Sequence, residues 1–422
     1  MKKLVWMFLV IIFVCSPLFS ISVLAAPPDG SSTETSSSGI SSDEEGKEVM
    51  TVQTTGSGDI TKSCTYVVSS NKKTLKKAID KKLYTNWTMN KGKNRYMQIN
   101  MPVIDKDKGI YLQWSSNLTP WECFVVTDGG EISIAKGGDE FYAEWIKIPE
   151  EYKSNQSFIF RFKDGSAFSL AEISVFAGGI PGYVPQWQKY DGSGIYALVF
   201  VCHPDDDTLY FAAFIAYCRE AGLEVVIVYM AVDSGRRRLE AQEGAWIMGE
   251  KIYPVMRMKN PHPARGGDKI YGWSPKQSVE FVVEQIRKYK PEIVVTHDPK
   301  GEYGHVNHKR TFNAVNEAVL AAGDATKFTK SVETYGVWTP SAFYVHLYGQ
   351  NKITFDIYKK LDAFGGKTAF EIASDAFGRH FSQHNGHHTV QRDGVDKWPM
   401  ANFGRYWIDP NIGIDPISKI IN

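Results

Sequence analysis

The run GIYALVFVC (194–202) is apolar from end to end. A strand with one wet face alternates; a strand without polar positions is buried on both faces, which calls for a parallel sheet covered by helices. The downstream segments fit that demand. DTLYFAAFIAYCREAG places Phe211, Phe214, Ile215 and Cys218 at helical spacing and stops at Gly222. LEVVIVYMAV reads as strand, RRRLEAQEGAWIMGE as helix and IYPVMRM as strand. SPKQSVEFVVEQIRKYK reads as a helix capped by Ser274, PEIVVTHD as strand and NHKRTFNAVNEAVLAAG as helix. Alternation of this kind predicts a doubly wound, Rossmann-like α/β layer over 190–422. Past about 335 the pattern weakens to a strand (FYVHLYG), a helix (AFEIASDAFGRHFSQH) and loops.

At 422 residues the chain is too long for one average domain. Residues 61–178 have a different texture. YMQINM, GIYLQWS, ECFVVT, EWIKIP, SFIFRF and AEISVF are short, mostly alternating and set apart by turns such as TDGG and KDGS. They predict a β-sandwich. AIDKKLYTNWTMNKGKNRYMQINM and FSLAEISVFAGG resemble the opening and the closing strand of discoidin-like, galactose-binding-like jelly rolls. That resemblance implies binding to a glycan or a surface; the plain alternative is a structural spacer. GGIPGYVPQW (178–187) reads as a boundary.

The N-terminus, with Lys2 and Lys3, a long apolar run and Ala25-Ala26, has the pattern of a signal peptide over 1–26, or of a membrane anchor if uncleaved. Residues 27–60, rich in Ser, Thr and Gly, read as an exposed linker. Both readings place the rest outside the cytoplasm or at the cell surface, with the membrane a partner only through an uncleaved segment. The 48 basic and 47 acidic residues nearly balance and form no basic stripe, which argues against nucleic acid as a partner. Four cysteines lie beyond the leader, none in a Cys-x-x-Cys pair. Cys64 and Cys123 are either one disulfide or two buried thiols.

In a doubly wound sheet, ligands bind beyond the carboxyl ends of the strands. Three polar clusters fall there: CHPDDD (202–207), DSG with RRRLE, and THDPKGEYGHVNH (296–308). One aspartate of Asp205, Asp206 and Asp207 is explained as a helix cap. Three together repel, at about 3 kcal/mol per close pair for an effective dielectric near 20. A bound cation removes that cost. His305 and His308 share a helix face at i, i+3, and His308 continues the apolar stripe of Phe312, Val315 and Val319, so it faces inward. Two imidazoles and a carboxylate with an open position describe a catalytic zinc site. A neighbouring carboxylate that does not ligate can take a proton from water. Spacing does not say which aspartate does which.

His203-Pro204-Asp205-Asp206, Arg237-x-x-Glu240 and DPKGEYGHVNH resemble the PIG-L / LmbE-like family, relatives of N-acetylglucosaminyl-phosphatidylinositol de-N-acetylase, over about 192–325. The resemblance implies that His203, Asp206 and His308 bind zinc and that Asp205 is the general base. It implies that His305 stabilises an oxyanion or protonates the leaving amine and that Tyr303 contacts the tetrahedral intermediate. It implies that Arg237 contacts substrate and that Glu240 holds that region by pairing; the plain alternative is a helical ion pair. Asp298 is expected to orient a histidine, and His297 and His380 are rim or structural groups. Two positions depart from the family. Asp207 stands where Glu is usual and has no assigned role. Asn307 stands where many members have Asp, which weakens His305 as an acid.

The expected function is a secreted, zinc-dependent (or ferrous-iron-dependent) de-N-acetylase of an N-acetylated amino sugar, held to surface glycan by the sandwich. The rivals are a non-haem iron oxygenase, built on a His203-x-Asp205 facial triad with a distant His, and a glycan-binding adhesion protein with an inactive catalytic half.

Overall fold

The computed structural model describes residues 58–421 apart from 164, 259–261, 264–269, 272 and 385–387. The expected leader and most of the expected linker lie outside the described residues. Among those described, no helix is long and apolar enough to cross a membrane.

The first layer holds β1 (Thr65–Val68), β2 (Trp87–Met89), β3 (Arg95–Asn100), β4 (Lys108–Trp114), β5 (Trp121–Thr127), β6 (Gly130–Gly137), β7 (Ala143–Lys147), β8 (Ser157–Phe162) and β9 (Phe168–Ala177). They form two antiparallel sheets, β1-β3-β8-β5-β6 and β2-β9-β4-β7. Between the sheets lies a core with Trp87, Trp114, Ile99, Phe158, Phe160 and Ile173. β3 alternates as its sequence predicts, one face buried and one wet. The disulfide reading fails. Cys64 and Cys123 are free buried thiols, because Cys64 leads into β1 and Cys123 lies in β5, three strand spacings away. That is about 14 Å, where a disulfide spans at most about 7 Å between Cα atoms.

The second layer runs β10 (Ala197–Val201), α1 (Ala212–Glu220), β11 (Val225–Val232), α2 (Gly235–Ile247), β12 (Val255–Met258), a ribbon of β13 (His262–Pro263) and β14 (Ile270–Tyr271), α3 (Pro275–Tyr289), β15 (Ile293–Thr296), α4 (Val306–Ala321), α5 (Thr329–Tyr335) and β16 (Ala342–His346). Then come β17 (Lys352–Thr354), the short pair β18 (Lys360–Leu361) and β19 (Lys367–Thr368), α6 (Ala369–Phe377), β20 (Asn402–Ile408) and α7 (Ser418–Ile421). The main sheet is ordered β12-β11-β10-β15-β16-β20-β17. Its first five strands pair in parallel; β20 pairs antiparallel with both of its neighbours. Val199 and Val201 face α1 and α6, while Leu198 and Phe200 face α3 and α4. Burial on both faces is why the 194–202 run has no polar position.

The layers are packed together in one compact unit. β4 is buried at every position and β9 at all but one. Their outer face, which alternation would leave wet, is covered by Leu239 of α2 and by Val184 of the expected boundary segment. Across this seam, buried Glu243 of α2 accepts hydrogen bonds from Gln113 Nε2 (3.0 Å) and Tyr111 Oη (3.3 Å). Arg238 donates to the Trp114 carbonyl (3.2 Å) and lies over the Tyr142 ring. A Cβ on Gly235 would stand 2.5 Å from the Ser115 carbonyl oxygen, so only glycine lets the sandwich approach the start of α2 this closely.

Candidate metal centre

β10 is the switch strand: the chain winds from it to β11 on one side and returns to β15 on the other. CHPDDD leaves the end of β10, and THDPKGEYGHVNH joins β15 to α4. Two residues here hold backbone conformations that side chains resist, Asp205 at φ +113° and Tyr303 at φ +47°. Asp207, unassigned from sequence, supports the first. Its Oδ1 accepts from the Asp205 N–H (3.0 Å) and its Oδ2 from Tyr229 Oη (2.7 Å). Burial pushes the Asp207 carboxyl up to about 6. From Asp207 to Phe211 the chain makes a turn of π-helix before α1, a local widening common at functional sites.

Asp206 is the hub of the centre. Its Oδ2 lies 3.2 Å from His203 Nδ1 and 2.7 Å from the His203 backbone N–H, and its Oδ1 lies 3.3 Å from His308 Nε2. Burial alone would raise this carboxyl, but His308 and His203 hold it well below the usual range. The rings of His203, His305 and His308 lie 4.5–5.5 Å apart. His305 reaches this position differently from the sequence reading. It is the cap residue before α4, with extended backbone, and does not share a helical face with His308.

The expected orienting group, Asp298, is replaced by Glu302. Asp298 Oδ1 accepts only a turn N–H, from Lys300 (3.1 Å). Glu302 is buried and accepts from three imidazoles: His308 Nδ1 (2.6 Å) and His297 Nδ1 (2.7 Å) on Oε2, and His346 Nδ1 (2.7 Å) on Oε1. Burial opposes its charge, yet these contacts keep it well below the usual carboxylate range. Sequence reasoning missed both Glu302 and His346. The one signal present was a glutamate inside DPKGEYGH; nothing local ties it to FYVHLYG.

Glu240 is wholly buried, and it holds its region by pairing with Arg236 Nε (2.9 Å) rather than with Arg237, while accepting from Ser382 N (2.9 Å) and Ser382 Oγ. Arg237 turns the other way, onto Asp205 Oδ1 (2.6 Å) and the Pro204 carbonyl oxygen. Burial raises the Asp205 carboxyl well above its ordinary value, and Arg237 partly offsets this. Asp205 belongs to none of the potential metal-holding trios among the described residues. Tyr303 is half-exposed, with its ring 5.4 Å from that of His305 and 5.7 Å from that of Trp398. Burial pushes its phenol up, so it keeps its proton. His305 is held down to about 3, by burial first and then by its histidine neighbours. Asn307 approaches His203 Nε2 (3.4 Å) rather than His305. His380 lies outside the cluster, buried against Gly244 of α2, with no hydrogen-bond partner on either ring nitrogen.

These residues fit a divalent metal. Three overlapping trios bring their ligand atoms within 4.8 Å: His203, His305 and His308; Cys202, His203 and Asp206; Asp206, His297 and His308. The expected trio is divided among them, with Asp206 as the link between His203 and His308. His297 Nε2 is already used by the Cys202 N–H (2.9 Å). His308 Nε2, by contrast, is buried without a hydrogen-bond partner. Burial would lower the His308 imidazole, but Asp206 and Glu302 push it up to about 10. A position that attracts a proton so strongly attracts a cation in its place.

Residues 198–319 match the family model described as GlcNAc-PI de-N-acetylase (PIG-L). A 1D-myo-inositol 2-acetamido-2-deoxy-alpha-D-glucopyranoside deacetylase of Mycolicibacterium smegmatis is 28% identical over 162 residues, 31% of this chain and 56% of that protein. Its namesake from Kineococcus radiotolerans is 41% identical over 73 residues, 16% of this chain and 20% of that protein. The chain thus spans less than two thirds of the length of these relatives. Among solved structures, the N,N'-diacetylchitobiose deacetylase of Pyrococcus horikoshii matches with a TM-score of 0.35 at 21% identity, covering 45% of this chain and 71% of that one. A family 32 carbohydrate-binding module of C. perfringens NanJ, solved with galactose, matches with a TM-score of 0.24 at 17% identity, covering 28% of this chain and 98% of that one. The strand end, loop and helix that hold the histidine–aspartate cluster therefore form, over residues 198–319, a domain of the PIG-L family.

Proposed function

We propose that the protein is a metal-dependent de-N-acetylase of a GlcNAc-type glycan. The observation that carries this reading is the bare, buried His308 Nε2, 3.3 Å from Asp206, beside an aspartate held by an arginine at 2.6 Å. His203, Asp206 and His308 would hold the ion, which we take to be zinc. Such an ion supplies Lewis acidity, lowering the pKa of water and polarising a carbonyl.

The chain's own residues do the rest. Asp205 takes the proton of the attacking water; Arg237 and Asp207 fix its orientation, and Arg237 pins one carboxylate oxygen while leaving the other for the proton. The protonated Tyr303 and the neutral His305 donate hydrogen bonds to the oxygen that gains charge at the amide carbon. Collapse of the tetrahedral adduct breaks the C–N bond, the amine takes the proton that Asp205 received from water, and acetate leaves. The sandwich contributes to glycan binding in this reading. Tyr84, 61% exposed on a sandwich loop, lies against Arg236 of α2. The lysine pair and apolar run of the N-terminus support a place outside the cytoplasm or at the cell surface.

The test is acetate release from a panel of N-acetylated oligosaccharides, with the protein chelator-treated and then resupplied with zinc or ferrous iron. Release that needs the metal and a free acetamide is expected. No release from any N-acetylated glycan by the zinc-loaded protein would sink the reading.

A further inference from the structure

Tyr303 joins the histidine cluster to a residue outside it. Its half-exposed ring lies 5.4 Å from that of His305 and 5.6 Å from that of His308. The Trp398 ring stands 5.7 Å from it, with the two planes at 75°. Trp398 lies beyond the family match at 198–319, in the loop before β20. That loop is tied down on both sides of the ring. On one side Arg392 donates to Asp396 Oδ2 from its backbone N–H (2.7 Å) and from Nε (3.1 Å). On the other, Pro399 and Met400 are buried. The Pro399 carbonyl oxygen lies 3.0 Å from His346 Nε2, and the Met400 N–H donates to the Gln391 carbonyl (3.2 Å). Trp398 itself is only partly buried, packed in part against the core on the α1 and α6 face of the sheet. Its indole N–H has no hydrogen-bond partner among the described residues and is not one of the buried unpaired polar atoms, so it is open to solvent. Tryptophans that serve packing differ. Trp114 and Trp121 donate to Glu144 (2.7 and 3.0 Å), and Trp87, Trp145 and Trp187 have buried N–H groups.

We propose that Trp398 is a substrate-binding residue that takes one pyranose ring of an N-acetylated glycan against its indole. The inference rests on the deacetylase reading above and adds a sugar subsite to it. A pyranose carries hydroxyls around its rim but presents C–H groups on its faces. The face of an aromatic ring is negative, so it attracts those C–H groups while both surfaces leave water, and the free indole N–H donates to a rim hydroxyl. Sites for small molecules are built in this way, from aromatic walls with a few placed polar groups. Tyr303 touches both the histidines and the indole, so a sugar stacked on Trp398 is kept beside the cluster. At 75° the two rings are adjoining walls of a corner rather than a flat stack, and a corner fixes the orientation of a sugar as well as its position. The contact involves no charge and selects by shape: it favours a cyclic sugar over a flexible acetamide. Because Trp398 comes from outside the matched segment, it is a means by which this chain chooses its own glycan.

The experiment compares wild type, Trp398→Ala and Trp398→Phe as full chains, with zinc supplied and N,N'-diacetylchitobiose as substrate. Trp398→Ala is expected to raise KM about tenfold while kcat changes by less than about threefold. Trp398→Phe, which keeps a ring face, is expected to recover most of that loss. Wild-type KM in Trp398→Ala would overturn the proposal. Equal losses in both variants, with lower melting temperatures in both, would also overturn it, since the indole would then be a packing residue. ¹H–¹⁵N NMR reads the contact without turnover. The Trp398 indole resonance is assigned by its absence from the Trp398→Phe spectrum, and it is expected to shift when metal-free wild type is titrated with the same disaccharide. A resonance that stays in place at millimolar disaccharide refutes the subsite. A wild type whose resonance shifts but which releases no acetate defeats the deacetylase reading and supports the subsite. A wild type that releases acetate, with Trp398→Ala unaltered, defeats the subsite alone.

Discussion

Glu302 and Glu243 are both buried glutamates that gather hydrogen bonds from distant parts of the chain, yet their surroundings drive them in opposite directions. Glu302 meets three imidazoles behind the candidate metal centre and is held well below the usual carboxylate range. Glu243 meets Tyr111, Gln113 and Arg379 at the seam between the layers; burial raises it, and Arg379 only partly compensates. The histidines repeat the contrast. Every ring around Glu302 has a partner on its inner nitrogen, whereas His380, close to Glu243 on the α2 side, has none. Burial alone therefore does not mark a functional carboxylate. What separates the two is the cargo: one orients groups that can hold an ion, and the other fastens a sandwich to a helix.

The largest expected effect lies on the metal side. Asp205→Asn should lower deacetylation about 10²–10⁴-fold while zinc binding, read with a chelator dye, stays at the wild-type level. Full activity in that variant would remove Asp205 from the role of base. Next comes the seam. Glu243→Ala, which leaves Arg379 with an uncompensated charge, should cost about 3 kcal/mol in urea unfolding with kcat per folded molecule unchanged. A large loss of kcat instead would mean that the seam and the site are not separable. Asp207→Ala strands the buried Tyr229 hydroxyl and frees the strained Asp205 peptide. About 2 kcal/mol of stability and roughly tenfold in kcat should go together; stability lost without kcat would reduce Asp207 to a structural residue.

The smallest effect is a pH dependence. Burial, and then Arg237 and His384, hold His380 down to about 3 from an ordinary value of 6.5. A base depressed in the folded state contributes stability above its unfolded value and loses it as pH falls towards the folded one. Wild type should therefore lose about 1.5 kcal/mol more than His380→Phe between pH 6.5 and 5, measured by urea titration at each pH. Parallel curves for the two proteins would mean that His380 has a partner and that the contrast with the Glu302 histidines fails.

Much of the site was legible because its members sit where strand periodicity breaks. CHPDDD interrupts an apolar run that has to be buried, and charge at such a place needs a physical reason. GHVNH closes a loop before a helix whose apolar stripe begins at His308. The misreadings share one cause. Glu240 and Arg237, at i and i+3 on α2, suggested a local pair; α2 instead points Arg237 at the end of β10 and Glu240 at Ser382, 142 residues away in sequence. Asp298 was the nearest acid to a histidine in sequence, but Glu302 is the one the fold turns inward.

The sequence by itself determined the two textures of the chain, the parallel sheet and the strand end where His203, Asp205 and Asp206 gather, because periodicity and charge at a buried edge are local properties. Only the tertiary structure decided which acid holds the histidines, what Asp207 does and that the sandwich is fastened to the first turns of α2. Those outcomes depend on which strands lie side by side. That is fixed by burial summed over whole layers, and a hydrogen bond such as His346 to Glu302 exists only once β16 has packed beside β15.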